Sequence, residues 1–434
     1  MKARASALRS TSLLTLALLA GSAVPAPQET ISQAELEALT AEIKLEIEAL
    51  RQAEFPRPVA VSIADGEGFL AYVKARMDRS TTPEELAAQE DVAKLLGLIP
   101  ADMDLLETML SFVESQVGGF YDPETESFCL MDSFTGGLAR VILAHELTHA
   151  LDDQLHDLDG AMDARNGHTD RLTAYQGLVE GSGTALMNAW SMDHLEELQG
   201  ADLSKIDMGL DAMGSTPPYL WRPLLAVYMR GAAFLTSAGG GRGPMPAVAE
   251  LERAFASPPE STEQLLHPEK YWDEEALDPP SDVELKTRRV PEGWSLLHED
   301  TLGELSLVSF VEPLSRRKGL SSQLEVMGAR YTYPASSGWD GDRVALMGNG
   351  DARYLALHTV WDDEDEAEEF EMALEYLSEH LTGATEAMAA QEGVAGSGFQ
   401  WKRRREEVTI EAWIGVEAGT RKDLSRALRF RVRD

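Results

Sequence analysis

The sequence predicts an α+β protein, in which a mostly helical region with a short β-sheet precedes a smaller α+β region. Four segments within residues 32–116 carry apolar residues at helical spacing. Two short strand-like runs, 117–121 and 127–131, then lead into an uninterrupted apolar run at 137–151. After the two prolines of residues 278–281, the pattern changes to alternating strands. The expected divisions are a signal peptide at 1–26, a main domain at 27–280 and a C-terminal domain at 281–434.

Composition places the chain among globular proteins and restricts its partners. Its 434 residues are 44% hydrophobic and 26% charged, which is a globular balance. The formal net charge of -36 argues against nucleic acid or an anionic membrane surface as a partner. The simplest interpretation of the charge is solubility.

The first residues have the pattern of a secretory signal peptide. Lys2, Arg4 and Arg9 form a basic start, residues 13–24 are apolar, and small residues surround Ala26. The apolar stretch is too short to span a membrane comfortably, and no other stretch of the sequence reaches that length. We therefore expect a soluble, exported protein that is secreted or periplasmic.

The region before the apolar run is expected to be helical scaffold without chemistry of its own. The third helix has the clearest start, because Thr82 can cap it, Pro83 suits its first turn and Glu85 follows the cap by three residues. The four predicted helices cover residues 32–52, 66–78, 83–98 and 103–116.

The runs 117–121 and 127–131 predict a β-hairpin, because turn-forming residues 122–126 separate them. A strand with an exposed edge beside the following helix can pair with an extended peptide. An ordinary core hairpin is the alternative.

The apolar run contains the motif HExxH, from His145 to His149. On a helix, two histidines four residues apart face the same side. In this pattern the histidines bind zinc, and the glutamate, here Glu146, is the general base for the zinc-bound water. Because Cys129 is the single cysteine, histidines and carboxylates must supply the zinc ligands. The alternative is two structural histidines on a buried helix.

A catalytic zinc ion usually has three protein ligands and one open position. Asp152 and Leu155 stand where a metzincin would have Gly and His, which excludes that subclass. Glu180 lies in an otherwise apolar or small-residue segment, where a lone charge needs a partner. We predict one Zn²⁺ per chain, bound by His145, His149 and Glu180. The alternative for Glu180 is a helix-end carboxylate that accepts backbone hydrogen bonds.

Three further polar residues near the motif compete as ligands. Asp153 lies one turn beyond His149, and we expect it to support a ligand histidine rather than to bind the metal. His156 and His168 lie in a polar, aspartate-rich stretch that we expect to form a loop.

A metallopeptidase also needs a donor for the oxyanion of the tetrahedral intermediate, usually a Tyr or His. Tyr228 lies in the aromatic-rich apolar stretch 217–235, which predicts a buried helix from Leu224 onward. His267 lies in the proline-interrupted segment 257–271, which predicts a rigid turn. Both residues are candidates, and a packed tyrosine and a turn-stabilising histidine are the alternatives.

The C-terminal part predicts a small α+β domain of antiparallel strands and helices. Residues 343–347 and 354–361 flank the turn 348–351, which is a strong hairpin signal. The remaining predicted elements are an acidic helix at 365–380, a strand at 408–415 and a closing helix at 420–428.

Four segments together resemble those of a group of poorly characterised, exported bacterial proteins with a zincin-like domain of the gluzincin type. The segments are residues 119–123, 145–154, 178–181 and 261–271, and the likeness covers roughly residues 60–280. The resemblance implies a zinc peptidase domain with His145, His149 and Glu180 as ligands and Glu146 as the base. It identifies no substrate.

These observations predict a zinc-dependent hydrolase, an exported metallopeptidase that cleaves peptide bonds with Glu146 as general base. The alternative from another class is a zincin-fold module that binds peptide or an envelope partner with little or no catalysis. A third possibility is a zinc amidase that acts on cell-wall peptide. The presence of Glu146 favours a hydrolase, since a purely structural zinc site needs no base.

Overall fold

A computed structural model of the chain describes residues 31–114, 118–198, 216–241, 243–312 and 330–433. The expected signal peptide at 1–26 lies outside these residues. The described residues form helices and small sheets, which confirms the predicted α+β class. Within these ranges, each helix is too short or too polar to cross a membrane.

Helices dominate the first part of the chain. Capping boxes at Ser32 and Thr82 begin the first and third helices, so local sequence fixes their starts as predicted. The helix predicted from Leu224 begins earlier, at Pro218, and contains Pro223. The bounds are α1 (Gln33–Arg51), α2 (Gly66–Ser80), α3 (Pro83–Leu95), α4 (Leu105–Glu114), α5 (Gly136–His156), α6 (Leu158–Asp163), α7 (Thr169–Asp193), α8 (Leu195–Leu198), α9 (Pro218–Ser237), α10 (Val248–Ala256), α11 (Thr262–Leu266) and α12 (Glu269–Trp272).

A small sheet precedes the helix that contains the HExxH motif. The predicted hairpin is present as β2 (Gly119–Asp122) and β3 (Ser127–Met131). A third strand that was not predicted, β1 (Ala60–Ala64), pairs with β3 in parallel and completes the order β1-β3-β2. All four β2 residues are buried, so this strand is covered in the described structure rather than open as expected.

Helices α7 and α9 approach each other closely because glycines meet at their crossing. A Cβ atom added to Gly181 on α7 would lie 2.4 Å from the carbonyl carbon of Gly231 on α9. A Cβ atom added to Gly231 would lie 1.9 Å from the carbonyl oxygen of Gly177. Only glycines allow the two backbones to contact in this way, and the contact fixes the position of α7.

The C-terminal part is built on a five-stranded antiparallel sheet with the order β5-β6-β7-β9-β8. The predicted hairpin, acidic helix, strand and closing helix are all present. The bounds are β4 (Asp282–Thr287), β5 (Ser295–Asp300), α13 (Gly303–Val311), β6 (Trp339–Asn349), β7 (Ala352–Trp361), α14 (Glu364–Gln391), β8 (Ser397–Arg404), β9 (Glu407–Ile414), α15 (Ala418–Ala427) and β10 (Leu428–Arg433). Strand β10 pairs with β4, so the end of the chain returns to residue 282.

Packing is continuous across the boundary predicted at residue 281. Val92 and Leu95 of α3 belong to the same buried cluster as residues of the C-terminal sheet and of α14. Asp300, at the end of β5, accepts a hydrogen bond from the backbone N–H of Thr169 at 2.8 Å. Helix α7 therefore begins on a carboxylate from the C-terminal part, as an N-terminal cap requires.

Candidate metal centre

The HExxH motif lies in the buried middle of α5. His145 is 2% exposed, and Glu146 and His149 are 0% exposed. The neighbouring sheet contributes to this burial, because a Cβ atom on Gly119 of β2 would lie 2.9 Å from the side chain of Ile142. The motif is thus fixed in a packed interior between the small sheet and α7.

Three side-chain atoms from α5 and α7 converge beside this helix. The Nε2 atoms of His145 and His149 are 2.9 Å apart. Oε2 of Glu180 is 3.2 Å from Nε2 of His145 and 3.4 Å from Nε2 of His149. Ligand atoms about 2.0–2.1 Å from a tetrahedral zinc ion are about 3.3 Å from one another, so this triangle has the size that zinc requires.

Hydrogen bonds alone do not explain why these three atoms lie so close together. Burial by itself would raise the pKa of Glu180, but His149 and His145 hold it below its ordinary value, so the side chain is an ionised acceptor. Any arrangement of protons on the two rings leaves at least one contact in which donor faces donor or acceptor faces acceptor. A cation at the centre would satisfy all three atoms.

Gly183 of α7 lies directly against the two ligand histidines. A Cβ atom at this position would lie 2.8 Å from Cε1 of both His145 and His149. Glycine is needed here so that both rings can turn toward Glu180. Of the two glycines that follow Glu180 most closely, Gly181 contacts Gly231 and Gly183 faces the ligand rings.

A buried ionic contact ties the two ligand helices together. Asp152, three residues after His149, accepts hydrogen bonds from Arg51 Nε at 2.8 Å and from Ser182 Oγ at 2.5 Å. Ser182 follows Glu180 by two residues, so this bond fixes α7 against α5 close to the ligands. The sequence did not predict this contact, because Arg51 lies far away in the chain.

Asp153 does not support a ligand histidine, in contrast to the prediction. Its carboxylate accepts hydrogen bonds from the Tyr121 hydroxyl at 2.9 Å and from the backbone N–H of Leu158 at 3.0 Å. Burial raises the pKa of Asp153 to about 6. Nδ1 of His149 is buried and has no hydrogen-bond partner among the described residues.

The structure separates the two candidate oxyanion donors. The ring of Tyr228 on α9 stacks at 5.9 Å from the ring of His145, so this residue lies beside the ligands. Nε2 of His267 instead lies 3.1 Å from Oε2 of Glu304 on α13. Burial alone would lower the pKa of His267, but the carboxylate of Glu304 keeps this pKa above its ordinary value. An oxyanion role for His267 stays a prediction, and in this structure its ring contacts the Glu304 carboxylate.

The competing histidines lie outside the ligand triangle. His156 is the last residue of α5 and stacks on Phe255 at 4.3 Å. His168 immediately precedes α7, at the border with the C-terminal part. The stretch between them was expected to be a loop but contains the short helix α6.

A second group of acidic side chains is also close enough to hold a metal ion, and the sequence did not reveal it. Glu263, Asp278 and Asp362 come together from distant parts of the chain. The ammonium group of Lys270 lies between them, at 2.7 Å from Glu263, 2.7 Å from Asp278 and 2.6 Å from Asp362. The chain itself therefore supplies a cation to this group.

Comparison with known proteins adds information for the C-terminal part alone. Residues 289–426 match a family described as Domain of unknown function (DUF8575). This match begins after the three candidate ligands and includes most of the five-stranded sheet. No curated protein and no solved structure matches the chain.

Proposed function

We propose that this protein is an exported, zinc-dependent metallopeptidase with a zincin-like domain of the gluzincin type. The observation that carries the proposal is the triangle of His145 Nε2, His149 Nε2 and Glu180 Oε2, with sides of 2.9, 3.2 and 3.4 Å. Two histidines and one carboxylate are a known ligand set of catalytic zinc in peptidases. The glutamate between the histidines adds the base that hydrolysis needs.

Each residue has a defined task in this proposal. When bound, zinc would supply Lewis-acid polarisation of the scissile carbonyl. The carboxylate of Glu146 accepts a proton from the attacking water and passes it to the leaving amine. The hydroxyl of Tyr228 donates a hydrogen bond to the developing oxyanion. Gly183 leaves room for the two ligand rings.

A second function is supported by the burial of the ligands. His145, His149 and Glu180 are 2%, 0% and 3% exposed, so little of this site is open to a substrate in this structure. A zincin-fold module that binds peptide or an envelope partner, with little catalysis, would have such a site. Glu146 would then have no chemical task.

Metal analysis combined with cleavage assays separates these functions. The purified protein should contain about one zinc ion per chain, and His149→Ala should lose it. Glu146→Gln should retain the zinc and lose cleavage of a broad peptide library. As a matched control, His194→Ala changes a histidine that stacks on Trp190 outside the triangle, and zinc should remain.

The outcomes point in different directions. A wild-type protein without zinc contradicts the central proposal. Zinc in both the wild type and Glu146→Gln, with no cleavage by either, favours the binding module. Equal cleavage by both proteins would remove Glu146 from the proposed mechanism.

A further inference from the structure

An apolar cavity of about 170 Å³ lies between α7, the helix that carries Glu180, and the C-terminal part. Helices α2, α4, α7, α9 and α13 all contribute to its walls. Representative wall residues are Val73, Met77, Leu110, Leu172, Leu220 and Leu305. The cavity therefore lies where the first part of the chain meets the C-terminal part.

Helix α7 connects the cavity to the candidate metal centre. Thr169, Thr173 and Gln176 line the cavity, and their spacing of three to four residues places them on one face of the helix. The same spacing continues to Glu180, which follows Gln176 by four residues, or about 6 Å along the helix axis. The face of α7 that forms the cavity wall therefore continues into the face that carries the third ligand.

Helix α9 makes the same connection from the other side. Leu224 lines the cavity, and Tyr228 follows it by one turn. Tyr228 stacks beside His145, as described above. The cavity thus lies about one turn from both the third ligand and the candidate oxyanion donor.

Size and chemistry define what the cavity accepts. An apolar cavity of about 150 Å³ takes up benzene in a well-studied protein, so this cavity suits one isobutyl or benzyl group. Asp300 contributes a carboxylate to the wall, but it already accepts hydrogen bonds from the backbone N–H groups of Thr169 and Thr301. The remaining walls are mainly aliphatic, which favours Leu or Phe over Lys or Arg.

We propose that this cavity is the specificity pocket of the metallopeptidase and holds a Leu or Phe side chain next to the cleaved bond. The inference rests on the proposed function. Burial of a side chain of this size corresponds to a preference of about 10- to 100-fold in kcat/KM over a peptide with Gly at that position.

Peptide cleavage by two matched variants tests the pocket. Leu110→Trp fills the cavity from α4 and should reduce cleavage of Leu and Phe peptides to the rate of Gly peptides. Leu106→Trp places the same side chain at an exposed position of α4, outside the cavity, and should keep the wild-type preference. Zinc content and melting temperature show that both variants are folded. Wild-type preference in a folded Leu110→Trp protein would overturn the proposal.

Leu110→Ala covers the case in which the larger residue prevents folding. It enlarges the cavity, so the preference should move from Leu toward Trp peptides. An unchanged order of preference in this variant would also overturn the pocket.

A binding measurement keeps the pocket and the peptidase distinguishable. Benzene should raise the melting temperature of Glu146→Gln, because a ligand that binds only the folded state stabilises it. It should have no effect when Leu110→Trp is added. Cleavage without preference for Leu or Phe overturns the pocket and leaves the peptidase. If the protein binds benzene but has neither zinc nor cleavage activity, the proposed peptidase function is wrong, and so is the specificity role of the cavity.

Discussion

Two groups of charged side chains converge in this protein, and they differ in where their counter-charge comes from. Glu263, Asp278 and Asp362 surround the ammonium group of Lys270, which makes three contacts of 2.6–2.7 Å. His145, His149 and Glu180 converge as tightly, but no lysine or arginine lies between their three atoms among the described residues. Converging ligands therefore indicate a metal ion only where the chain supplies no cation of its own.

Asp170 provides a third case, a buried carboxylate with neither arrangement. It accepts hydrogen bonds from the backbone N–H and the hydroxyl of Thr262. Burial raises the pKa of Asp170 to about 7, so a proton neutralises much of its charge. A lysine, a proton and, under the proposed function, a metal ion are three ways to compensate a buried carboxylate, and each makes a different prediction.

The largest expected effect is on stability at Lys270. Lys270→Met removes the cation from three carboxyl groups, of which Glu263 is almost fully buried and has a pKa that burial raises to about 9, and we expect the free energy of unfolding to fall by about 2–4 kcal/mol. Denaturant unfolding measures this, and the zinc content should not change. Lys286→Met is the matched control, because both Lys286 and its partner Glu284 are partly exposed, and it should leave the free energy of unfolding nearly unchanged. Equal losses of unfolding free energy in the two variants would mean that Lys270 contributes no more than an exposed ion pair does.

The next effect is on metal affinity at Gly183. Gly183→Ala pushes a methyl group against both ligand rings, so zinc affinity should fall by about 10- to 100-fold. Competition with a chelator measures the change. Gly383→Ala is the control, because a Cβ atom there has no heavy atom within 4 Å among the described residues, and its zinc affinity should be unchanged. A Gly183→Ala protein with wild-type affinity would argue against zinc between these rings.

The smallest effect is on the pH dependence of stability at Asp170. An unfolded chain releases this proton near pH 4 and the folded protein near pH 7, so the folded state binds it more tightly between these values. This contribution to stability is complete below about pH 4 and is lost as the pH rises toward 7. Between pH 6 and 7 the loss is about 1 kcal/mol.

Thermal unfolding across that pH range checks the proton at Asp170. Asp170→Asn should flatten the pH dependence by about 1 kcal/mol per pH unit. Asp351→Asn, a change at an exposed turn, should retain the wild-type slope. A slope that does not respond to Asp170→Asn would mean that Asp170 is ionised and has another source of compensation.

The sequence predicted the parts of the site that depend on local spacing. Helical periodicity places His145 and His149 on one face, and Glu180 was conspicuous as a lone charge in an apolar segment. The Lys270 cluster was not predictable in this way, because chain folding, and not helical spacing, brings Asp362 to Glu263. Asp153 was assigned to the wrong partner for the same reason, since Tyr121 reaches it from a different element.

The fold shows the same division between local and distant information. Capping residues and apolar spacing predicted the helices α1 to α5, and the turn at 348–351 predicted the hairpin β6–β7. Strands β8 and β10 were not predicted, because their exposed positions carry mostly arginines and lysines and their composition therefore resembles a solvated surface. Their place is set by pairing with β9 and β4 instead.

The contact between Asp300 and the start of α7 has a consequence for how the protein can be divided. The helix that carries Glu180 begins on a carboxylate that lies inside the family match 289–426. We therefore expect that a fragment ending at residue 280 will not hold the start of α7 in its observed place. If the first part is moved onto another scaffold, Asp300 must be moved with it. If the matched region is replaced by that of a relative, the replacement must supply an aspartate at this position. The boundary of the family match therefore does not mark a place at which this protein can be divided into independent units.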